Sequence, residues 1–192
     1  MSDQLDDVLS EKLPKGRKEL AFLKTAYTIG VEVLVNRSIT DKLLIDSGHT
    51  FHIGTTDPHM RRIASWLLTN YEERIPSLIP KLWKRNGRED LKLVGLLIAN
   101  TDGDPWPKFL GLLRKREPVE ALLEVAEEIK RSGRKIPGAE ILDKWCSKSV
   151  IHHQTCMLIA SLNSSTEYFD LIRTAPKGGE LFERIRSRAL EP

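Results

Sequence analysis

Apolar residues recur at helical spacing along most of the chain, and three successive stripes between residues 57 and 99 show the pattern most clearly. Side chains three and four positions apart lie on one face of an α-helix. The stripes comprise Met60, Ile63, Ala64 and Leu67; Ile75, Leu78, Ile79 and Leu82; and Leu91, Val94, Gly95 and Ile98. Asn86-Gly87 separates the second from the third, and residues that tolerate a left-handed backbone commonly end helices. The sequence therefore predicts a helical hairpin that begins to repeat.

The helical pattern continues after residue 99 with a period of roughly thirty residues, the length of two helices and two turns. The later stripes comprise Trp106, Phe109, Leu110 and Leu113; Val119, Leu122, Leu123, Ala126 and Ile129; Ile141, Leu142 and Trp145; Ile151, Leu158 and Ile159; and Tyr168, Phe169, Leu171 and Ile172. No segment alternates polar and apolar residues with the period of a β-strand. Since one hairpin cannot bury its apolar faces alone, we expect the hairpins to stack.

The predicted fold class is all-α. We expect an α-α superhelix in which about four HEAT-like helical hairpins form a right-handed stack, preceded by N-terminal helices and closed by a C-terminal capping helix. The other predicted elements are helices at 17–36 and 40–47, a loop at 49–56 and the cap at 180–190. The predicted domains are residues 1–56, which hold the N-terminal helices and a linker, and residues 57–192, which form one continuous repeat domain.

Composition narrows the class of protein only a little. The chain has 192 residues with 40% apolar content, enough for one domain with a substantial core. Its 30 basic and 27 acidic residues nearly balance, so the net charge of +3 does not by itself indicate nucleic-acid binding. The chain has two cysteines, no basic-then-apolar leader and no apolar run of membrane-spanning length. These features predict a cytoplasmic protein without membrane association.

The placement of charge is more informative than its total. Residues 81–148 carry 15 basic and 11 acidic side chains, so the positive excess lies in the middle of the chain. The basic residues fall where second helices are predicted to end, namely Lys84, Arg85, Arg88, Arg114, Lys115, Arg116, Lys144 and Lys148. Cations are favoured at helix C-termini by about 0.3 to 1 kcal/mol each, which explains one or two per end. The remainder predicts a rim that contacts the phosphates of a nucleic acid.

Two other groups of residues are candidates for chemistry. Trp106 and Trp145 are candidate groove residues, because an indole offers a flat face on which a base stacks; the alternative is that they fill the core between hairpins. Cys146, His152, His153 and Cys156 contain metal-ligating atoms, but their spacing matches no compact zinc motif. With no phosphate-cradling glycine loop and no nucleophile elbow, we predict no metal, no cofactor and no catalytic residue.

The pattern resembles HEAT-like helical repeats and, more loosely, their DNA alkylation repair branch, the alkylpurine glycosylases. The resemblance covers about residues 57–175 and rests on Asp-Pro-His-Met-Arg-Arg-Ile-Ala at 57–64, Leu-Lys-Leu-Val-Gly-Leu-Leu-Ile-Ala at 91–99, and a tryptophan in three successive second helices. In that family a tryptophan and an aspartate four residues later lie in the concave groove and assist base loss. Ser149 stands four residues after Trp145 here, so no catalytic aspartate is carried over.

Two classes of function therefore remain, with a third implied by the resemblance. The favoured hypothesis is a helical-repeat module that contacts nucleic acid, specifically DNA, through the basic rim. The alternative is a protein-protein interaction scaffold, which the acidic residues Glu120, Glu124, Glu127 and Glu128 favour. The third is a glycosylase for alkylated bases, which the missing aspartate argues against.

Overall fold

Helices supply all the regular secondary structure of residues 3–29, 31 and 49–191, the part of the chain that this computed structural model describes. They are α1 (Gln4–Leu9), α2 (Arg17–Ile29), α3 (Asp57–Asn70), α4 (Ile75–Arg85), α5 (Arg88–Asn100), α6 (Pro105–Leu110), α7 (Val119–Arg131), α8 (Ala139–Cys146), α9 (Val150–Ser161), α10 (Phe169–Thr174) and α11 (Glu180–Ala189). Single 3-10 turns, Glu72–Arg74 and Thr166–Tyr168, precede α4 and α10. No strand occurs among the described residues, which confirms the all-α prediction.

Most helix limits lie close to the predicted ones, while some predictions fall elsewhere. The cap predicted at 180–190 is α11, and the loop predicted at 49–56 has no helix or strand. The helix predicted at 40–47 and the second half of the one predicted at 17–36 lie outside the described residues. The arrangement of the hairpins as a superhelix of repeats stays a prediction.

Contacts between residues divide the chain into two compact units, Met1–Leu97 and Ile98–Pro192. Helix α5 runs across this division, because it begins at Arg88 and ends at Asn100. The boundary predicted from the sequence lies elsewhere, between residues 56 and 57. It marks the expected start of the repeats, and it stays a prediction.

In the first unit, the turn between α4 and α5 shapes the packing around it. Asn86 adopts the left-handed conformation, with φ of 59° and ψ of 31°, and ends α4 as the sequence predicts. Gly87 follows, and a Cβ atom there would lie 2.0 Å from the ring of Phe51. The loop is held by two backbone hydrogen bonds of 2.9 Å, from Thr50 N–H to the Asn86 carbonyl and from Arg88 N–H to the Phe51 carbonyl. A side chain at 87 would therefore force the ring of Phe51 to move from its place over the turn.

The N-terminal helices belong to the same packed unit. Helix α2 contacts both α1 and α3. The Tyr71 hydroxyl accepts a 3.0 Å hydrogen bond from Leu13 N–H, and the Arg74 guanidinium donates to the carbonyls of Leu13 and Pro14 at 2.8 and 2.6 Å. The Thr55 hydroxyl donates to the Tyr27 carbonyl at 2.9 Å in the buried interior. These bonds satisfy backbone groups that would otherwise be unpaired between helices.

The second unit is organised around α9. This helix contacts α7, α8, α10 and α11, and residues 155–160 along it are all buried. A helix that is apolar on every side is expected at the centre of a bundle rather than on its surface. The one buried hydroxyl in that stretch, Thr155, donates to the Ile151 carbonyl one turn earlier at 2.7 Å. The surrounding helices therefore cover residues 155–160 of α9, whose one hydroxyl is already hydrogen-bonded.

The Asp57 carboxylate joins α3 to α5 through an ion pair whose strength depends on pH. Its carboxylate, at the start of α3, accepts from the Lys92 ammonium of α5 at 2.5 Å and from Arg61 at 2.7 Å. The hydrogen bond from Lys92, with help from Arg61, lowers the pKa of Asp57 to about 2. The stabilisation is therefore present above about pH 4 and is lost as the pH falls towards 2. Because the carboxylate is 45% exposed, we expect it to be at most about 1 kcal/mol.

We predict that Asp57→Asn lowers the urea midpoint of unfolding at pH 7. The difference in midpoint from the wild type should shrink as the pH falls from about 4 towards 2, where the wild-type carboxylate is also neutralised. Asp170→Asn, which removes a carboxylate that is 93% exposed, is the matched control and should leave the midpoint nearly unchanged at both ends of the range. A gap of constant size at every pH would contradict the link.

Candidate functional site

Arg85 is the predicted rim residue whose environment differs most from expectation. Its side chain is only 19% exposed, so the expectation that it projects into solvent is wrong. The guanidinium donates to both carboxylate oxygens of Asp90, at 2.6 and 2.5 Å, and to the Leu20 carbonyl at 2.5 Å. Two parallel bonds to one carboxylate form the strongest geometry open to an arginine. Arg85 is therefore a structural residue that joins α2, α4 and α5.

Asp90 is the centre of this buried group. Its side chain is 0% exposed, and Oδ1 also accepts a 3.1 Å hydrogen bond from the Tyr27 hydroxyl. Burial raises the pKa of Asp90, and the hydrogen bond and charge of Arg85 oppose that rise. Burial and the Asp90 charge raise the pKa of Tyr27 well above its ordinary value, which keeps the phenol protonated. The Arg85 guanidinium also lies 5.3 Å from the ring centre of Phe51.

The other two predicted cations of the first unit differ from each other. Lys84 is exposed in the last turn of α4. Arg88 is half-buried, and its guanidinium lies 3.2 Å from Nε2 of His52. Burial lowers the pKa of His52, the Arg88 charge lowers it further, and Glu89 opposes both effects. The imidazole is therefore neutral at pH 7 and accepts the Arg88 hydrogen bond. Only Lys84 of this group presents a charge to solvent without a bonded partner among the described residues.

The second unit places five predicted cations at or after the ends of α6 and α8. Arg114 is bonded to Glu117, with Nε and Nη2 at 2.9 and 2.7 Å from the carboxylate. Lys115 and Arg116 are exposed in the loop 111–118 that follows α6. Lys144 lies in the last turn of α8, and Lys148 lies just beyond it. Lys115, Arg116, Lys144 and Lys148 have no carboxylate partner within the part of the chain that the structure describes.

Two of the four tryptophans, Trp83 and Trp106, are core residues. Trp106 is 2% exposed, and its indole N–H donates to the Lys135 carbonyl at 2.8 Å, so a base cannot reach its ring. Trp83 is 3% exposed. Trp145 alone of the predicted pair is half-buried, on α8 between the two exposed lysines. Trp66, which the pattern did not single out, stacks on Phe22 with ring centres 5.7 Å apart.

The sequence did not reveal that three acidic residues lie inside the first unit, each at most 1% exposed: Glu19, Glu89 and Asp90. Glu19 accepts from Arg74 and Lys81 at 2.5 and 2.8 Å. Glu89 Oε1 accepts from the backbone N–H groups of Ile53 and Gly54 at 3.1 and 2.9 Å. Acidic residues in the first turn of a helix are common on surfaces, so no sequence signal marks these as buried. Their hydrogen bonds hold segments together, which is a structural role.

The cysteine and histidine set of the second unit does not converge. Among the described residues, no group of three or more His, Cys, Asp or Glu side chains is arranged to hold a metal ion. His152 Nδ1 lies 2.8 Å from the Ser149 hydroxyl at the start of α9, and His153 Nε2 lies 3.3 Å from the Leu171 carbonyl. The two cysteines are free thiols.

Comparison with protein-family models, curated proteins and solved structures finds no match to this chain. The resemblance to HEAT-like repeats therefore stays a prediction. Within the described ranges, no helix has both the length and the apolar character needed to cross a membrane.

Arg85 and Lys84 provide a matched pair of variants that separates structural from surface cations. We predict that Arg85→Ala lowers the free energy of unfolding by roughly 3 to 5 kcal/mol, because it leaves the Asp90 carboxylate buried without its partner. Lys84→Ala, one residue earlier and exposed, should change it by less than about 0.5 kcal/mol. Urea denaturation followed by circular dichroism measures both. Equal midpoints for the two variants would show that the Arg85-Asp90 pair does not stabilise the fold.

Proposed function

We propose that this chain is a helical nucleic-acid-binding protein that contacts the phosphates of DNA through exposed cations of its second unit. The supporting observation is that Lys115, Arg116, Lys144 and Lys148 are exposed and have no carboxylate partner among the described residues. A lysine or arginine that is already paired with a carboxylate gains less from a phosphate. An unpaired one gains the release of a condensed counterion.

The loop cations Lys115 and Arg116 support the proposal more strongly than the helix-end cation Lys144 does. A lysine in the last turn of a helix, such as Lys144, is explained by the negative end of the helix dipole alone. Helix α6 ends at Leu110, so Lys115 and Arg116 lie well beyond its last turn, and the dipole effect falls off within that turn. The helix dipole therefore does not account for two cations at these positions, whereas a role in contacting phosphates would.

The residues proposed to contact DNA are a revised form of the predicted rim. Arg85 leaves the set because its guanidinium is bonded inside the first unit, and Trp106 leaves it because its ring is buried. Arg114 is bonded to Glu117, which reduces its contribution. Trp145 remains a candidate for stacking on an unpaired base, since it is half-buried beside Lys144.

A protein-interaction scaffold is the second candidate, and one observation favours it. Ile141 and Val150 are the two large hydrophobic side chains that are well exposed among the described residues, at 46% and 60%. Ile141 lies on α8, one turn before Trp145. Where exposed apolar residues form one contiguous patch, that patch commonly binds another protein.

We predict weak, salt-sensitive binding to duplex and single-stranded DNA with little sequence preference. If the four cations each neutralise one phosphate, a plot of log affinity against log salt has a slope of roughly −3.6 for duplex DNA and roughly −2.8 for single strands, and reversing two of the cations reduces it to about half. Fluorescence anisotropy of labelled oligonucleotides between about 50 and 200 mM salt measures the slope. The test variant is Lys115→Glu with Arg116→Glu, and we expect it to weaken binding by roughly tenfold or more at low salt.

Lys15→Glu with Lys18→Glu is the charge-matched control, because both lysines are exposed in the first unit and lie outside the proposed set. It makes the same change in net charge and should retain most of the affinity. Equal losses in the two variants would indicate a non-specific effect of net charge. Unchanged affinity in the test variant, or no binding at low salt, would favour the scaffold.

We also predict that the protein does not excise alkylated bases. Base loss needs a carboxylate beside the sugar, where it stabilises developing positive charge. The residue four after Trp145 is Ser149, and the exposed acids of α8 are Glu140 and Asp143. Incubation with DNA that carries 7-methylguanine or 3-methyladenine should release base only at the spontaneous rate. Faster release that is lost in Asp143→Asn or Glu140→Gln would overturn this prediction.

A further inference from the structure

A basic cleft lies within the second unit, and it contains none of the residues proposed to contact DNA. One side is formed by the end of α7 and the segment 132–138 that leads to α8, and the other by residues 162–168, which connect α9 to α10. Its volume is about 610 Å³, within the range of about 300 to 1,000 Å³ that is typical of small-molecule sites. The lining includes Lys130, Arg134, Lys135, Ile136, Leu162 and Asn163.

Three cations line the cleft, and none of them pairs with a carboxylate among the described residues. The Lys130 ammonium, in the last turn of α7, donates to the Leu162 carbonyl. The Arg134 guanidinium donates to backbone carbonyls at and just after the end of α5, at 3.2 and 3.1 Å. Lys135 is exposed, and its ammonium has no bonded partner in the described part of the chain. Because carbonyls carry no net charge, the positive charge of the lining is opposed by Glu167 alone.

The backbone of residues 135–138 has bonded carbonyls and free N–H groups. The Lys135 carbonyl accepts from the Trp106 indole N–H at 2.8 Å, and the Pro137 carbonyl accepts from the Tyr168 hydroxyl at 3.1 Å. By contrast, no N–H group of this segment has a hydrogen-bond partner within the described ranges. A cation would need the carbonyls, whereas an anion accepts from N–H groups. The donors that remain therefore favour a negatively charged ligand.

Two side-chain hydrogen bonds cross the cleft and fix its width. Tyr168 reaches from the α9–α10 connection to Pro137, and Lys130 reaches from α7 to Leu162. Walls that are already joined do not have to be ordered when a ligand binds, which reduces the entropic cost of binding.

We propose that this cleft binds a phosphorylated small molecule, whose phosphate oxygens accept from Lys130, Lys135 and the free N–H groups of residues 135–138. A phosphate group carries negative charge and several acceptor oxygens, and its hydrogen bonds to cations are of the strong, charge-assisted kind. Lys130 spends one donor on Leu162 and keeps its other N–H groups for the ligand. The half-buried side chains of Ile136 and Leu162 offer apolar surface to the rest of the molecule.

A small molecule fits the cleft better than a DNA backbone does, because the volume and the joined walls suit a compact ligand. The inference does not depend on the proposed DNA contact, whose residues lie outside the cleft, and the two can fail separately.

The test titrates the full chain with ADP in a calorimeter, with EDTA present so that no metal ion takes part. Adenosine is the control without phosphate, and inorganic pyrophosphate is the probe without a nucleoside. We expect ADP and pyrophosphate to bind and adenosine to give no measurable heat. Lys135→Gln should weaken the binding of both phosphate ligands by about tenfold or more, which corresponds to the loss of one hydrogen bond to a charged group. The variant should fold normally, because the Lys135 side chain is exposed.

Lys177→Gln is the matched control, since it removes an exposed lysine of the second unit that does not line the cleft. It should leave both affinities nearly unchanged, and Lys115→Glu with Arg116→Glu should retain most of the ADP binding. The proposal is wrong if neither ADP nor pyrophosphate binds at millimolar concentration, or if Lys135→Gln and Lys177→Gln weaken binding equally. Loss of oligonucleotide binding in Lys135→Gln, with no ADP binding by the wild type, would assign the cleft to DNA instead.

Discussion

The turn between α4 and α5 is the constraint on which the first unit depends. Asn86 in the left-handed conformation reverses the chain direction, and the missing side chain of Gly87 leaves room for the ring of Phe51. The turn brings Arg85 and Asp90 together, and their ion pair is buried. Burying two charges costs free energy unless both are fully bonded. The pair meets that condition because α2 supplies a carbonyl acceptor for the guanidinium and a hydroxyl donor for the carboxylate, which makes the N-terminal helices necessary to the turn.

The helices could be predicted because the evidence for a helix is local. The stripe of α3 is buried at each predicted position, and Asn86, with positive φ, follows α4 where the sequence places its end. What the pattern could not show is how many sides of a helix are covered. Helix α5 displayed one stripe, yet nearly its whole surface is buried, and α9 is buried at six successive residues, 155–160. That depends on the neighbours of each helix, which are set by packing between segments distant in sequence.

The candidate site was predictable only in part, for the same reason. Lys84 and Arg85 are adjacent and equally basic, but the structure exposes one and buries the other against an acid five residues further along. Nothing in the spacing of charges distinguishes these outcomes, because a helix end and a turn must first bring the partners together. Lys115 and Arg116 differ, since a loop following a short helix leaves long side chains little to pack against. Predictions of exposed cations are therefore safer in loops than at helix ends.

Pairing also determines what kind of surface remains in the second unit. In that unit Arg114, Arg131, Arg173 and Arg186 all pair with carboxylates three residues away along the chain. The opposite charges of each pair largely cancel, and salt screens the remaining electrostatic potential within about one Debye length. Among the described residues, the cations near the end of α8 have no such partner, and the half-buried Trp145 lies between them in the chain. The end of this short helix therefore keeps exposed positive charge beside an aromatic ring, whereas ion pairs neutralise Arg114 and Arg131 elsewhere in the unit.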